Sequence, residues 1–343
     1  MRARQSLTAF FILLLYSHTA EALRAADEIR PGEVWRDDRG KPIQAHGGGV
    51  IRDGDSWYWF GQDHGPGNPP ESRRVACYAS QDLMHWTFRH TVLQLETPED
   101  LQPGSAWLER PKVYHNPVTG KYVMYFHLEG KVHPEDLNYT LARVGVAICD
   151  RIDGDYQYVR SFRPWGKESR DIGQFIDDDG SAYLIFEARR SKGFYIAQLS
   201  QDYLDLDKVV GFVHVPLEGN ALVHYQGLYY VVGSHLTHWR PNPNVYASSP
   251  KLEGPWPNSL EFADLVPKDK SKDTYGSQST MLLKITGAKQ TTVIFMADMW
   301  KPRAMGDSRY LWMPLEIGHE QMKLPEPHPW SIDVGTGEVA VQD

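Results

Sequence analysis

Residues 110–127 read RPKVYHNPVTGKYVMYFH. A short apolar run enters Asn116-Pro117-Val118-Thr119-Gly120, and a strand dense in Tyr, Val, Met and Phe leaves it. Asn and Gly tolerate the left-handed backbone of a tight turn, and aromatic and β-branched side chains suit a half-buried pleated surface, so the stretch is a β-hairpin. The same order of apolar residues, Gly, Asp or Asn turn, and aromatic strand occurs four more times, as GGGVIRDGDSWYWFGQ from Gly47, IGQFIDDDGSAYLIFEA from Ile172, ALVHYQGLYYVVGSH from Ala221 and TMLLKITGAKQTTVIFMAD from Thr280. A further strand follows each hairpin, in VACYASQDLMHW, VGVAICDRIDGDY, GFYIAQLSQDYLDL, NVYASSPKLEGPW and SRYLWMPLEI.

Five repeats of about four strands, spaced by roughly 45 to 65 residues, imply an all-β, five-bladed β-propeller, because repeated blades bury one another's faces and protect their edges. A two-sheet sandwich is the alternative. Residues 23–343 are expected to form this one domain. Ahead of it, Arg2 and Arg4 precede an apolar run and the small residues Ala20 and Ala22, the pattern of a cleaved signal peptide over residues 1–22. The run is shorter than the ~20 residues that cross a bilayer, so a secreted or periplasmic location is expected and no membrane partner. The net charge of -8, with no cluster of Lys and Arg, excludes nucleic acid as a partner. Cys77 and Cys149 sit in similar strands of different repeats and are expected to be unpaired, buried thiols in a monomer.

A propeller brings the innermost strand of every blade to one axis, so the residues opening the five hairpins converge on a funnel. They are Gln44-Ala45-His46, Glu109-Arg110, Ser169-Arg170-Asp171, Glu218 and Gln278. Glycosidic cleavage needs such a meeting of carboxylates: one protonates the leaving oxygen, and in an inverting enzyme a second group about 6.5–9.5 Å away steers water to the other face of the sugar. Repulsion among Glu109, Asp171 and Glu218 is expected to raise one pKa, while Arg110 and Arg170 hold others ionised. Trp57, Trp59, Trp107, Trp239 and Trp300 flank these positions, and indole faces suit the C–H faces of sugar rings. His46, His235 and His238 lack metal-ligand spacing, so no metal site is assigned, although an axial calcium ion near His235 is a candidate. Asp177-Asp178-Asp179-Gly180 lacks the later Glu of a calcium loop and is read as a turn.

In order along the chain, IQAHGGGV, WYWFGQD, CYASQDLMHW, ERPKVYHNPVTGKYVMYFH, SRDIGQFIDDDGSAYL, LEGNALV, GSHLTHWRPNPN, GSQSTM and MWKPRAMGDSRYLWMPL resemble glycoside hydrolase family 43, most closely its exo-β-1,3-galactanase branch. The resemblance implies an inverting, exo-acting propeller that releases galactose from β-1,3-galactan and needs no cofactor. It implies Glu218 as general acid, Asp171 as the residue that orients it, and Gln278 with Glu109 at the attacking water. Gln62, His46, Arg110, Trp239 and Trp300 become the expected sugar-binding side chains. Two departures stand out: Gln62 in FGQD replaces the branch's Glu, and LEGNALV replaces an LEAP-like sequence. An amide has almost no proton affinity at neutral pH, so Gln278 either acts as its imidic tautomer or holds water for Glu109. A β-xylosidase or α-L-arabinofuranosidase, or a sugar-binding propeller without catalysis, are the alternatives.

Overall fold

In the computed structural model, which describes residues 27–67 and 73–342, each of the five hairpins is the inner half of a separate β-sheet. The leader assigned to residues 1–22 lies outside the described residues. The first four sheets have four antiparallel strands and the fifth has three, Gln278–Thr286, Thr291–Met299 and Arg309–Pro314. The innermost strands are His46–Asp53, Trp107–His115, Ile172–Ile176, Leu217–Tyr225 and Gln278–Thr286. Each packs on its neighbours and the first meets the last, which closes a five-bladed ring and rules out a sandwich. Asp177-Asp178-Asp179-Gly180 is a hairpin turn, closed by the Asp177 and Ser181 backbones at 2.9 Å.

The core lies in the gaps between blades, because each sheet has two apolar faces and only a neighbouring sheet can cover them. Phe60, Val113 and Phe126 fill the gap between blades one and two, Tyr114, Leu184 and Phe186 the next, and Ile185, Phe194 and Val231 the third. The largest cluster joins blades four, five and one. Trp57 and Trp59 belong to it, with Trp59 against Trp86 at 5.3 Å and Trp312 at 4.6 Å, so these two indoles are core and not sugar platforms. Cys77 and Cys149 occupy equivalent third strands and are unpaired; Cys77 is buried, whereas Cys149 is only partly so.

Backbone pairing closes the ring. Ile29 bridges to Trp330, and the Gly32 N–H donates to the Tyr310 carbonyl at 2.8 Å, so the chain's early segment covers the outer edge of blade five. Trp330 is fully buried and its Nε1 donates to the Trp312 carbonyl at 2.7 Å. Trp330→Ala is expected to lower the unfolding free energy by about 3–5 kcal/mol in urea titrations, through a cavity and a lost hydrogen bond. A loss below about 1 kcal/mol would show that this clasp is incidental.

Candidate active site

Four innermost strands carry one extra residue near their start, between His46 and Gly49, Glu109 and Lys112, Glu218 and Ala221, and Ser279 and Met281. A bulge breaks the alternation of side chains and re-aims the residue beside it. In three blades the bulged residue is left-handed: Gly47 at φ 59°, Arg110 at φ 53° and Gly219 at φ 65°. Glycine adopts this freely, whereas an arginine there stores about 1–3 kcal/mol that its surroundings must offset.

Those surroundings are polar groups from four blades. Arg110, 4% exposed, pairs its Nε with Asp171 Oδ2 at 2.8 Å, and donates from Nη1 to the Ser279 carbonyl at 3.1 Å and from Nη2 to Gln278 Oε1 at 2.5 Å. Its own N–H donates to Gln62 Oε1 at 3.2 Å. Asp171 Oδ2 also accepts from the Gly219 N–H at 2.9 Å, which ties the bulge behind Glu218 to the same guanidinium.

Gln278 is saturated. Its oxygen accepts from Arg110 and from Trp300 Nε1 at 2.9 Å, both donor-only groups, which fixes which end of the amide faces them. Its nitrogen donates to Glu218 Oε1 at 3.2 Å and to Ser234 Oγ at 2.9 Å. With both lone pairs and both N–H groups engaged, this amide presents no acceptor to a water. Glu218 is 7% exposed, and its Oε2 accepts from Arg189 Nη2 at 3.1 Å. Burial first, then the nearby Asp171 and Glu187, push its carboxyl up to about 8 against the pull of Arg110 and Arg189. Glu218 is therefore largely protonated at neutral pH.

Glu109 is held in the opposite state. Its Oε1 accepts from Tyr139 at 2.7 Å and Trp107 Nε1 at 3.3 Å, and Oε2 lies 3.2 Å from His127 Nδ1. Burial raises its pKa, but the hydrogen bond and charge of His127, the Tyr139 hydroxyl and Arg110 outweigh it and hold the carboxyl at about 2. His127 is buried between two carboxylates, with Nε2 2.9 Å from Glu129 Oε1. Burial disfavours its charge, yet Glu109 and Glu129 lift it to about 10, so it is an imidazolium. Oxygens of Glu109 and Asp171 and a nitrogen of His127 lie within 4.8 Å of one another.

A cavity of about 350 Å³ opens over these groups, lined by Gln62, Glu109, Arg110, Asp171, Glu218, Gln278, Trp107, Trp239 and Trp300 among others. Trp239 stands edge-on to Trp300 at 5.8 Å on the rim. His46 lies behind the wall rather than on it: it is fully buried, its Nδ1 is 3.0 Å from Asp298 Oδ1, and its ring stacks on Tyr310. His64, which sequence reading passed over, lines the cavity beside Gln62. Arg170 also lines the cavity, but its ion pairs are with Glu129 and Glu168 and not with Glu109, Asp171 or Glu218. His235 is exposed at the end of a second strand, opposite Leu217. Beneath the cavity Lys112 reaches across the inner strands, its Nζ donating to the carbonyls of Gly47 at 2.7 Å and Gly48 at 2.8 Å.

Gln62, expected from the sequence, shares an address with His127, Ser234 and Asp298, which the sequence reading missed. Gln62, His127, Ser234 and Asp298 lie directly across the hairpin from His46, Glu109, Glu218 and Gln278, and the Glu187 N–H donates to the Asp171 carbonyl. Each second strand thus ends on a polar residue facing the first, a signal present in FGQD, YFH, FEA, GSH and MAD.

The model of glycosyl hydrolases family 43 matches residues 44–298. The chain belongs to that family. Among solved family structures, the exo-β-1,3-galactanase of Phanerochaete chrysosporium bound to β-1,3-galactotriose is 33% identical, with a TM-score of 0.83 over 92% of this chain and 71% of that one. The exo-β-1,3-galactanase of Clostridium thermocellum is 30% identical, with a TM-score of 0.82 over 92% of this chain and 69% of that one. The extracellular endo-α-(1→5)-L-arabinanase 2 of Bacillus subtilis (strain 168) is 23% identical over 186 residues, 47% of this chain and only 36% of that protein. No helix among the described residues is long and apolar enough to cross a membrane.

The Glu109–His127 pair has a pH signature. His127, raised from 6.5 to about 10, contributes stability that is complete below pH 6.5 and lost as pH rises through 10. Glu109, lowered from 4.5 to about 2, contributes above pH 4.5 and loses its share as pH falls through 2. In thermal melts, His127→Gln is expected to flatten the decline in Tm between pH 6.5 and 10. A mutant profile parallel to the wild type would contradict the charged imidazolium.

Proposed function

We propose that this family 43 chain is an exported, inverting exo-hydrolase that releases terminal galactose from β-1,3-galactan. The observation carrying it is the pair of carboxyls in opposite states at one cavity, Glu218 at about 8 and Glu109 at about 2. A pure binding site has no need of that contrast, whereas acid–base cleavage does. The cavity's size, near the lower end of the ~300–1,000 Å³ usual for ligand pockets, supports attack at a chain end rather than along a polymer. The galactanases with about a third of residues in common support galactose and the β-1,3 linkage.

In this reading Glu218 gives its proton to the glycosidic oxygen as the bond to the anomeric carbon breaks. Water attacks that carbon from the opposite face, and its proton passes to the Glu109 carboxylate. Glu109 is a weak base at rest, but it is ionised at every working pH, and the water becomes acidic as it bonds to the developing cation. Gln278 holds Glu218 and Arg110 in register and does not take the proton. Asp171 orients the acid through Gly219, and Gln62, Trp239 and Trp300 contact the sugar. Arg110 shapes the floor; His46 supports the wall from behind. The scheme uses no cofactor, and an axial calcium ion near His235 would have no part in it.

Glu218→Gln is expected to lower turnover on galactan by about 10²–10⁴, and much less on a dinitrophenyl β-galactoside, whose leaving group needs no proton. Glu109→Gln should slow both substrates, and added azide should restore reaction as the α-galactosyl azide. Proton NMR of the first product should show α-galactose. An initial β-sugar contradicts inversion, and xylose or arabinose without galactose from a panel of galactan, arabinogalactan, arabinan and xylan would replace the proposed specificity.

A further inference from the structure

Glu187 is a buried carboxylate that the scheme above leaves without a task. It is 1% exposed, on the second strand of blade three, and its Oε1 accepts from Arg189 Nε at 2.7 Å. The same guanidinium donates from Nη2 to Glu218 Oε2 at 3.1 Å. One arginine therefore bridges two buried carboxyls. The other charges facing them are already committed. Asp171 is paired with Arg110 at 2.8 Å, and Arg170, the remaining cation near Glu187, sits 3.4 Å from Glu129 and 3.5 Å from Glu168. Gln278 and Ser234, the remaining contacts of Glu218 and its amide, are neutral.

One positive charge shared by two desolvated carboxyls leaves room for one negative charge and one proton. Glu187 has the closer contact, through the nitrogen that points along the arginine's stem. Its Oε2 has no hydrogen-bond partner among the described residues, so a full charge there is only half satisfied. The proton is thus kept within the pair and not lost to solvent.

Resting on the assignment of Glu218 as acid, we propose that Glu187 is a positioning residue that competes with Glu218 for Arg189 and so keeps the acid protonated. Both carboxyls are displaced upward, Glu187 by burial and then Asp171, in keeping with a shared proton. When Glu218 surrenders its proton to the leaving oxygen, Arg189 is the cation at hand for the new carboxylate, and reprotonation from solvent restores the pair.

The competition makes two variants move in opposite directions. Removing the Glu187 charge releases Arg189 to Glu218, which should then ionise more readily; removing Arg189 leaves two carboxyls without their cation and should make Glu218 hold its proton more tightly. The test is titration of the Glu218 side-chain carbon by NMR in protein labelled at the glutamate carboxyl, with Glu218→Gln assigning the signal. Glu187→Gln is expected to lower the midpoint by at least about one pH unit, a tenfold change in acid dissociation, and Arg189→Met to raise it. The alkaline limb of kcat/KM on galactan should follow in each variant. An unmoved or raised midpoint in Glu187→Gln overturns the proposal. Should that variant not fold, an Arg189→Met midpoint that falls or stays overturns it equally. Because the titration needs no turnover, opposite shifts in a protein that cleaves no galactan would uphold the shared proton while refuting the galactanase reading.

Discussion

The Arg110 guanidinium is the constraint around which the site is built. It lies on a bulge in blade two, in a backbone conformation unfavourable to it, and reaches Asp171 in blade three and Gln278 and Ser279 in blade five, while its N–H meets Gln62 of blade one. Blade four joins through the Asp171 bond to the Gly219 N–H. A planar fork with five fixed donors can satisfy partners on several sides at once; a lysine in its place would offer a point charge and no such geometry. The local backbone strain and the buried charge are both tolerable because every blade supplies part of the compensation.

From that hub the two cavity carboxyls, Glu218 and Glu109, diverge. Glu218 is buried beside Asp171 and Glu187 and faces cations that are shared with other acids, so its neutral form wins. Glu109 lies just across the floor but against an imidazolium, a phenol and an indole, and its charged form wins. Identical side chains at equivalent bulges are thus driven apart by their surroundings, an imidazolium across the hairpin for Glu109 and burial beside the carboxyls of blade three for Glu218. The amide of Gln278 joins the two halves, and its four occupied hydrogen-bonding positions make it a spacer with directional demands. This is a physical answer to how an amide stands where an inverting hydrolase is expected to have a base.

Much of this was legible in the residues. The turn glycines and aromatic strands specified five hairpins, and their opening residues, Glu109, Arg110, Asp171, Glu218 and Gln278, do meet at one cavity. Trp57 and Trp59 read as sugar platforms because alternation along a strand does not say which face of the sheet looks toward the funnel, and His46 reads as a sugar contact because the bulge that follows it interrupts that alternation. Glu187 and His127 lie on the second strand of a hairpin and Arg189 just beyond one, so the residues opening the first strands do not point to them. The closure by Ile29 and Trp330 is a contact between chain positions 301 residues apart, and no local pattern announces it.

The most direct measurement is a crystal structure of the Glu218→Gln variant soaked with β-1,3-galactotriose. The account requires the terminal sugar in the cavity, with its glycosidic oxygen about 2.6–3.2 Å from the residue 218 amide and an ordered water on the far face of the anomeric carbon beside Glu109. A trisaccharide lying across the rim, with that oxygen turned away from residue 218 or the water held by Gln278 alone, would contradict it.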